Sequence, residues 1–373
     1  MLLALPSPRK MHGFRTVRPP AALPVSLPHP LTREPPSSTL ARCRSLKYTE
    51  QEMQEATNPK RGKSGVNQLS NRVRNWIRRV RKAGGAGIHL LLQAPAVAVE
   101  EYRIRYELAA CLNFKNAAPY LAEWLEFHLL VGFEHFYLYN NNSDDDYEAV
   151  LEPYIQAGIV SLFQWPESPA FPKSYEHCVA RHQHETRWIA FLDDDEFLFP
   201  TTHVDLRKIL RNYEFHPAVV VHWILFGSSG HVHRVPGLVT ENYLRRAEAV
   251  DRHIKTIVNP RRLARVLNPH YCKYKDKQWA VDENKRPQEG ATGSPATADI
   301  LRINHYSSKS LEDWTNKVNR GAQELEENPY KIETWHKTDA ALNAVEDREI
   351  LRFLPELKQR LEARKAGLSG AEK

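Results

Sequence analysis

The chain has 373 residues, 42% apolar and 26% charged, close to the globular average, which excludes collagen-like, mucin-like and wholly disordered chains. Its net charge of +7 hides a division: residues 1–92 hold 17 Lys and Arg against 4 acidic residues, a net of +13, and the rest holds 35 basic and 41 acidic residues, a net of −6. A basic tail on an acidic body confines any polyanion contact to the tail, and nucleic acid is not an expected partner of the body.

Nine prolines fall between Pro6 and Pro36, in a segment too poor in apolar surface to offset the entropy of ordering. Residues 1–65 read as a disordered, basic, Pro-rich leader: a tail, an organelle transit peptide and a misassigned start all fit that composition. Residues 66–100 follow as a basic helix and linker. Val66, Leu69, Val73, Trp76, Ile77 and Val80 recur at helical spacing among Arg72, Arg74, Arg78, Arg79, Arg81 and Lys82. Such a helix over 66–82 either docks peripherally on an anionic membrane face through Trp76 or packs on the body. The longest nearly apolar stretch, Ile88–Val99, has 12 residues and contains Gln93 and Pro95, short of the ~20 needed to span a bilayer. Met1–Leu5 lacks the apolar run of a secretion signal. Cys43, Cys111, Cys178 and Cys272 fit neither a metal finger nor a small disulfide framework. These features point to a cytoplasmic location, peripheral to the inner membrane face if the helix docks.

From Tyr106 onward short apolar runs alternate with amphipathic ones. Leu108–Phe114 predicts a strand, Pro119–Val131 a helix ended by Gly132, and Glu134–Tyr139 a strand. Ser143 is expected to cap a helix through Ile155, with Gly158 closing it before a strand over Ile159–Gln164. Tyr175–Glu185 and Val204–Tyr213 predict helices; Trp188–Leu192 and Ala218–Phe226 predict strands. His231–Thr297 reads as less regular, and helices are expected over Ser310–Leu325 and Asp339–Ala366. This order predicts an α/β fold, a mostly parallel sheet flanked by helices, with the body over 101–325 and a C-terminal helical segment over 326–373. In such sheets ligands sit beyond the carboxyl ends of the strands, which here carry Lys115, Asn116, Asn140–Asn142, Asp193–Glu196 and Gly227–Gly230.

Asp193, Asp194, Asp195 and Glu196 stand between the apolar runs Trp188–Leu192 and Phe197–Phe199. With extended backbone, Asp193 and Asp195 would converge and Asp194 would point elsewhere. Two convergent carboxylates suit a hard divalent cation, Mg²⁺ or Mn²⁺, whose other ligands are water and phosphate oxygens. A solvated acidic turn is the alternative reading.

The stretches ACLNFKNAAPYLAEWLEFHLLVGFEHFYLYNNNSDDD, RWIAFLDDDEFLFP, HWILFGSSGH and INHYSSKS, in that order within residues 106–321, resemble glycosyltransferase family 92 and its bacterial glycosyltransferase-2-like relatives. The resemblance implies a GT-A fold, a nucleotide-sugar donor (a UDP-sugar foremost), a glycan or lipid-linked acceptor, inversion, and an Asp-x-Asp metal site for Mn²⁺ or Mg²⁺. Asp193 and Asp195 fall on the Asp-x-Asp positions and His305 on the C-terminal histidine, so these three are the expected metal ligands. The chain departs from the family pattern at Ala117, where relatives commonly carry Glu, and at Asn140, where they often carry Asp. Donor contacts are expected from Asn116, Asn140, Asp193, Asp194, Gly227 and Lys309. Asp195, Glu241 and Asp282 are the candidate catalytic acids, the last two as the base that activates the acceptor. Lys317 and Arg320 contact phosphate or lie on a solvated face. Trp223, Tyr243, Tyr271, Tyr274 and Trp279 offer rings to sugars or pack in the core. The rival classes are a metal-dependent nucleotidyltransferase and a non-enzymatic binding module with a structural cation.

Overall fold

The computed structural model describes residues 104–167, 170–321 and 330–367; the expected leader and the 66–82 helix lie outside the described residues. The alternation predicted from the sequence is present. β1 (Tyr106–Phe114), α1 (Ala118–Leu130), β2 (His135–Asn140), α2 (Tyr147–Gln156), β3 (Val160–Gln164), α3 (Lys173–His182) and β4 (Thr186–Phe191) follow one another. Next come β5 (Glu196–Pro200), α4 (Leu206–Leu210), β6 (Ala218–Leu225), α5 (Val239–Asn242), β7 (Arg245–Arg246) and β8 (Ile254–Val258). The hairpin β9 (Leu263–Asn268) and β10 (Tyr271–Tyr274) precedes β11 (Ala280–Val281), β12 (Pro287–Gln288) and β13 (Leu301–His305). The last elements among the described residues are α6 (Leu311–Arg320), α7 (Ile332–Leu342), β14 (Val345–Glu346) and α8 (Leu354–Lys365).

A ten-stranded sheet runs β12-β11-β6-β8-β4-β1-β2-β3, with β13 bonded to both β6 and β5. β3, β2, β1 and β4 are parallel neighbours. β8 enters antiparallel between β4 and β6, so β6 points the same way as β4. The period of two in β1 builds the core on both faces at once. Leu108, Ala110, Leu112 and Phe114 join the cluster under α1, α2 and α8. Ala109 and Cys111 join the opposite cluster, with Tyr137, Tyr139, Tyr175 and Cys178.

α1 is buried on more than one side because the C-terminal segment packs over it. Glu126, almost wholly buried, accepts charge-assisted hydrogen bonds from Arg360 (3.0 Å) and Arg364 (2.8 Å) of α8. Among the described residues no helix is long and apolar enough to cross a membrane.

Several expectations are corrected. Asp146, not Ser143, stands at the start of α2, because the Ser143 hydroxyl is taken by the Asn116 amide at 2.9 Å. The region His231–Thr297 contains β8, a central strand, and the β9–β10 hairpin. The helix expected over Asp339–Ala366 breaks at Asn343, where β14 pairs with β7. Phe197–Phe199 belong to β5, which lies antiparallel to β13.

Candidate active site

The strand ends meet around a cavity of about 600 Å³ lined by the loops after β1, β2 and β4, by the turn after β13 and by one face of α6. Asn116 ties the first two loops together: its side-chain oxygen accepts from the Asp144 amide at 2.9 Å and its own amide donates to Ser143. Asp145 accepts from the Ala118 amide at 2.7 Å, capping α1 from across the chain. Asn116 (φ 54°), Asn142 (φ 55°) and Lys309 (φ 47°), all lining the cavity, hold left-handed backbone, a conformation that side chains other than glycine seldom adopt and that concentrates at functional sites.

The aspartate triplet is not extended. The Glu196 amide donates to the Asp193 carbonyl at 3.2 Å, so the backbone turns and the alternation that would align Asp193 with Asp195 is lost. Asp193 instead pairs with Lys255 of β8 at 2.7 Å, and Lys255 also reaches Glu196 at 3.5 Å. Asp194 and Asp195 are the two that line the cavity.

Asp195 meets His305 because β5 and β13 pair antiparallel with His305 opposite Glu196. The Tyr306 amide then donates to the Asp195 carbonyl at 2.8 Å. The Asp195 carboxylate lies 3.3 Å from His305 Nε2 through Oδ1 and 3.0 Å from Lys317 Nζ through Oδ2. The other side of the His305 ring packs on Trp223, 4.2 Å between centroids.

Burial by itself would raise the Asp195 carboxyl, but Lys317 and His305 outweigh it and hold the group well below the usual carboxylate range. Asp194 is pushed up by burial and by the charge of Asp195. Glu196 is raised well above its ordinary value by burial, against Lys255, and by Asp193 and Asp195. Burial lowers Lys309, whose ammonium sits over the Tyr120 ring at 4.4 Å.

α6 presents Asp313, Asn316, Lys317 and Arg320 to the cavity, a stripe at helical spacing. Ser310 caps this helix by accepting from the Asp313 amide at 3.1 Å and donates its hydroxyl to the Asp313 carboxylate at 2.7 Å. Asp313 also accepts from Arg234 at 2.7 Å. Arg234, Tyr120 and Asp313 were not among the expected site residues, and Lys317 was expected either to contact phosphate or to lie on a solvated face. The available signal was the Ser-x-x-Asp cap after INHYSSKS, which starts a helix whose polar stripe faces inward.

The remaining candidates lie elsewhere. Asn140 is buried at the end of β2, accepting from the Ser143 amide and donating to Gln164, and shapes the loop without lining the cavity. Gly227 approaches α7 rather than a ligand: a Cβ there would fall 2.6 Å from Asn343 Oδ1, and Ser228 and Ser229 bond Asp339 and Asn343. Glu241 pairs with Lys358 at 2.6 Å. Asp282 follows β11, which pairs with the first residues of β6, at the opposite edge of the sheet from the cavity, and it is clamped by Arg286. Tyr243 and Tyr274 are core residues, and Trp279 is exposed.

No three His, Cys, Asp or Glu side chains converge into a metal cluster among the described residues. The Asp195–His305 pair nonetheless fits a divalent cation. Two ligands at right angles on an ion with bonds of ~2.1 Å stand roughly 3 Å apart, close to the 3.3 Å found between Oδ1 and Nε2.

The model of glycosyltransferase family 92 matches residues 106–343. A family 92 protein of Oryza sativa subsp. japonica is 27% identical over 305 residues, 73% of this chain and 49% of its own length. One from Ricinus communis is 33% identical over 190 residues, 47% of this chain and 32% of its own length. The chain spans about half the length, or less, of these curated relatives. S. aureus TarS 1–349 in complex with UDP-GlcNAc overlaps 35% of this chain and 37% of its own, at 16% identity and a TM-score of 0.28. Glucosyl-3-phosphoglycerate synthase from Mycobacterium tuberculosis, in complex with Mn²⁺, UDP and glucosyl-3-phosphoglycerate, overlaps 31% of this chain and 43% of its own, at 15% identity and a TM-score of 0.22.

Proposed function

The chain belongs to glycosyltransferase family 92, and from that premise we propose that its cavity transfers a sugar from a nucleotide-sugar donor, a UDP-sugar foremost, to a hydroxyl of a glycan or lipid-linked acceptor, with inversion. The observation that carries this reading is the contact of His305 with Asp195, which lines a cavity together with Lys309, Lys317 and Arg320.

Breaking the bond between a sugar and a diphosphate builds negative charge on the leaving oxygens, so the site must offer fixed positive charge there. Asp195 and His305 would hold Mn²⁺ or Mg²⁺, which supplies that charge without proton transfer. Lys309 and Arg320 face the same space and add charge from the protein. Of the two aspartates expected at the donor, Asp194 lines the pocket, while Asp193 and Lys255 brace the turn from behind. The nucleoside lies against the loops joined by Asn116 and Asp144. The left-handed backbone at Asn116 and Lys309 shapes two walls of the pocket, and the hydrogen bonds of Asn116 to Ser143 and Asp144 hold its end in place before the donor arrives.

The test incubates the full chain with Mn²⁺ and a panel of nucleotide sugars and measures nucleotide release. Release with one or more sugars, lost in Asp195→Asn with near-UV circular dichroism intact, supports the reading. Equal release by the variant excludes this site.

A further inference from the structure

Both oxygens of the Asp195 carboxylate are engaged: Oδ1 faces His305 and Oδ2 accepts a hydrogen bond from Lys317 Nζ at 3.0 Å. An oxygen held by an ammonium is a poor ligand for a metal arriving alone, because the cation must displace the lysine and then sit beside it. Lys317 has other partners within reach. Its ammonium lies 3.4 Å from the Ser307 carbonyl and 5.0 Å from the centre of the Tyr330 ring, and it borders the cavity together with Lys309 and Arg320. By residue count the cavity wall is balanced, with Lys115, Arg234, Lys309, Lys317 and Arg320 set against Asp144, Asp145, Asp194, Asp195 and Asp313. A divalent cation alone upsets that balance, whereas a cation accompanied by a diphosphate restores it.

We propose that Lys317 is an exchangeable counter-ion, held on Asp195 in the free protein and passed to the diphosphate oxygens when cation and nucleotide bind together. The inference rests on Asp195 being a cation ligand. It goes further by assigning Lys317 a positioning role that changes between the free and the loaded protein, and it requires metal and nucleotide binding to be coupled. No bond is made or broken in the exchange, since one ion pair replaces another.

The experiment measures free Mn²⁺ by electron paramagnetic resonance in titrations of the full chain, with and without UDP. Unmodified protein is expected to bind Mn²⁺ weakly alone and at least tenfold more tightly with UDP. Lys317→Met is expected to bind Mn²⁺ alone at least tenfold more tightly than the unmodified protein and to lose most of the tightening by UDP. Lys317→Arg, which keeps the charge, retains the coupling. Lys317→Gln gives the same reading should the methionine variant fail to fold. Equal Mn²⁺ affinity in the unmodified and Met or Gln proteins overturns the proposal, as does an undiminished effect of UDP in those variants. Asp195→Asn separates the two levels. If it leaves Mn²⁺ binding with UDP unchanged, the cation site itself is elsewhere and the role of Lys317 falls with it; if it abolishes binding, the Lys317 variants decide alone.

Discussion

His305 stands opposite Glu196 in the antiparallel pairing of β13 with β5, and this register brings the histidine against Asp195. Two motifs distant in sequence become one site through a strand pair that a reading of local periodicity does not reveal. Asp195→Asn and His305→Ala are both expected to lower donor-dependent nucleotide release by about 10²-fold or more, the loss seen when charge stabilisation is removed from a developing anion. Glu241→Gln and Asp282→Asn are expected to stay within about twofold, since neither side chain lines the cavity and a general base must lie within hydrogen-bond reach of the proton it takes. Initial rates on the four variants check this. A large loss in Asp282→Asn would mean that the wrong end of the sheet has been taken for the site.

Trp124 links the core to the acidic turn. Its side chain is fully buried and its indole N–H donates to the Glu196 carbonyl at 2.9 Å. Trp124→Phe keeps most of the packing but leaves that carbonyl unpaired, at a cost of about 1–3 kcal/mol. Trp124→Ala adds a cavity and is expected to cost about 3–5 kcal/mol. Urea denaturation of the two variants should show that order, and equal midpoints would contradict the role given to the indole hydrogen bond.

The parts of the fold that could be read in the sequence are those whose pattern is local. β1 to β4 and α1 to α3 announce themselves through apolar runs, Pro119 and Gly158, because each buries a face dictated by its own spacing. β8 gave no such sign. Its Lys255 puts a charge at the second position of a five-residue strand, and the contact with Asp193 and Glu196 helps make that burial tolerable. The same blindness misplaced the partner of Asp195. Alternation pairs Asp193 with Asp195 only while the backbone stays extended, and the hydrogen bond from the Glu196 amide to Asp193 turns it. Lys317 was visible as one of three basic residues after His305, but whether a helix shows its charges to solvent or to a cavity depends on what packs across from it. Gly227 was expected to contact the donor, but the group close to its backbone is the Asn343 side chain, a tertiary neighbour that no local pattern shows.

That approach is testable as a coupling. A methyl group at position 227 must displace the Asn343 side chain, which accepts from the Ser229 amide at 2.7 Å and donates to the Asp339 carbonyl at 2.7 Å. Gly227→Ala is therefore expected to destabilise the protein, and to do so far less in an Asn343→Ala background. A double-mutant cycle by chemical denaturation should return an interaction energy of roughly 1–2 kcal/mol. Additive effects would show that the glycine answers to something other than Asn343.

Asp347 anchors the C-terminal segment and should make stability depend on pH. Its carboxylate pairs with Arg246 at 2.7 Å and Arg302 at 2.8 Å, and the Asp347 and Arg302 side chains are each 8% exposed. Burial would raise the carboxyl, but Arg302 and Arg246 outweigh it, and the group is lowered from its ordinary value. A carboxyl whose pKa is lower in the folded than in the unfolded chain contributes stability that is complete above the unfolded value, near 3.9, and is lost as pH falls through the folded value. At neutral pH Asp347→Asn leaves Arg302 buried without its counter-charge, and the variant is expected to be about 3–5 kcal/mol less stable. As pH falls below about 4 the unfolded chain takes up a proton that the folded carboxylate resists, the ion pairs contribute progressively less, and the gap between the two must narrow. Unfolding curves recorded from pH 7 to pH 3 check this. A gap that stays constant across the range would show that the two arginines are not what holds the carboxylate ionised.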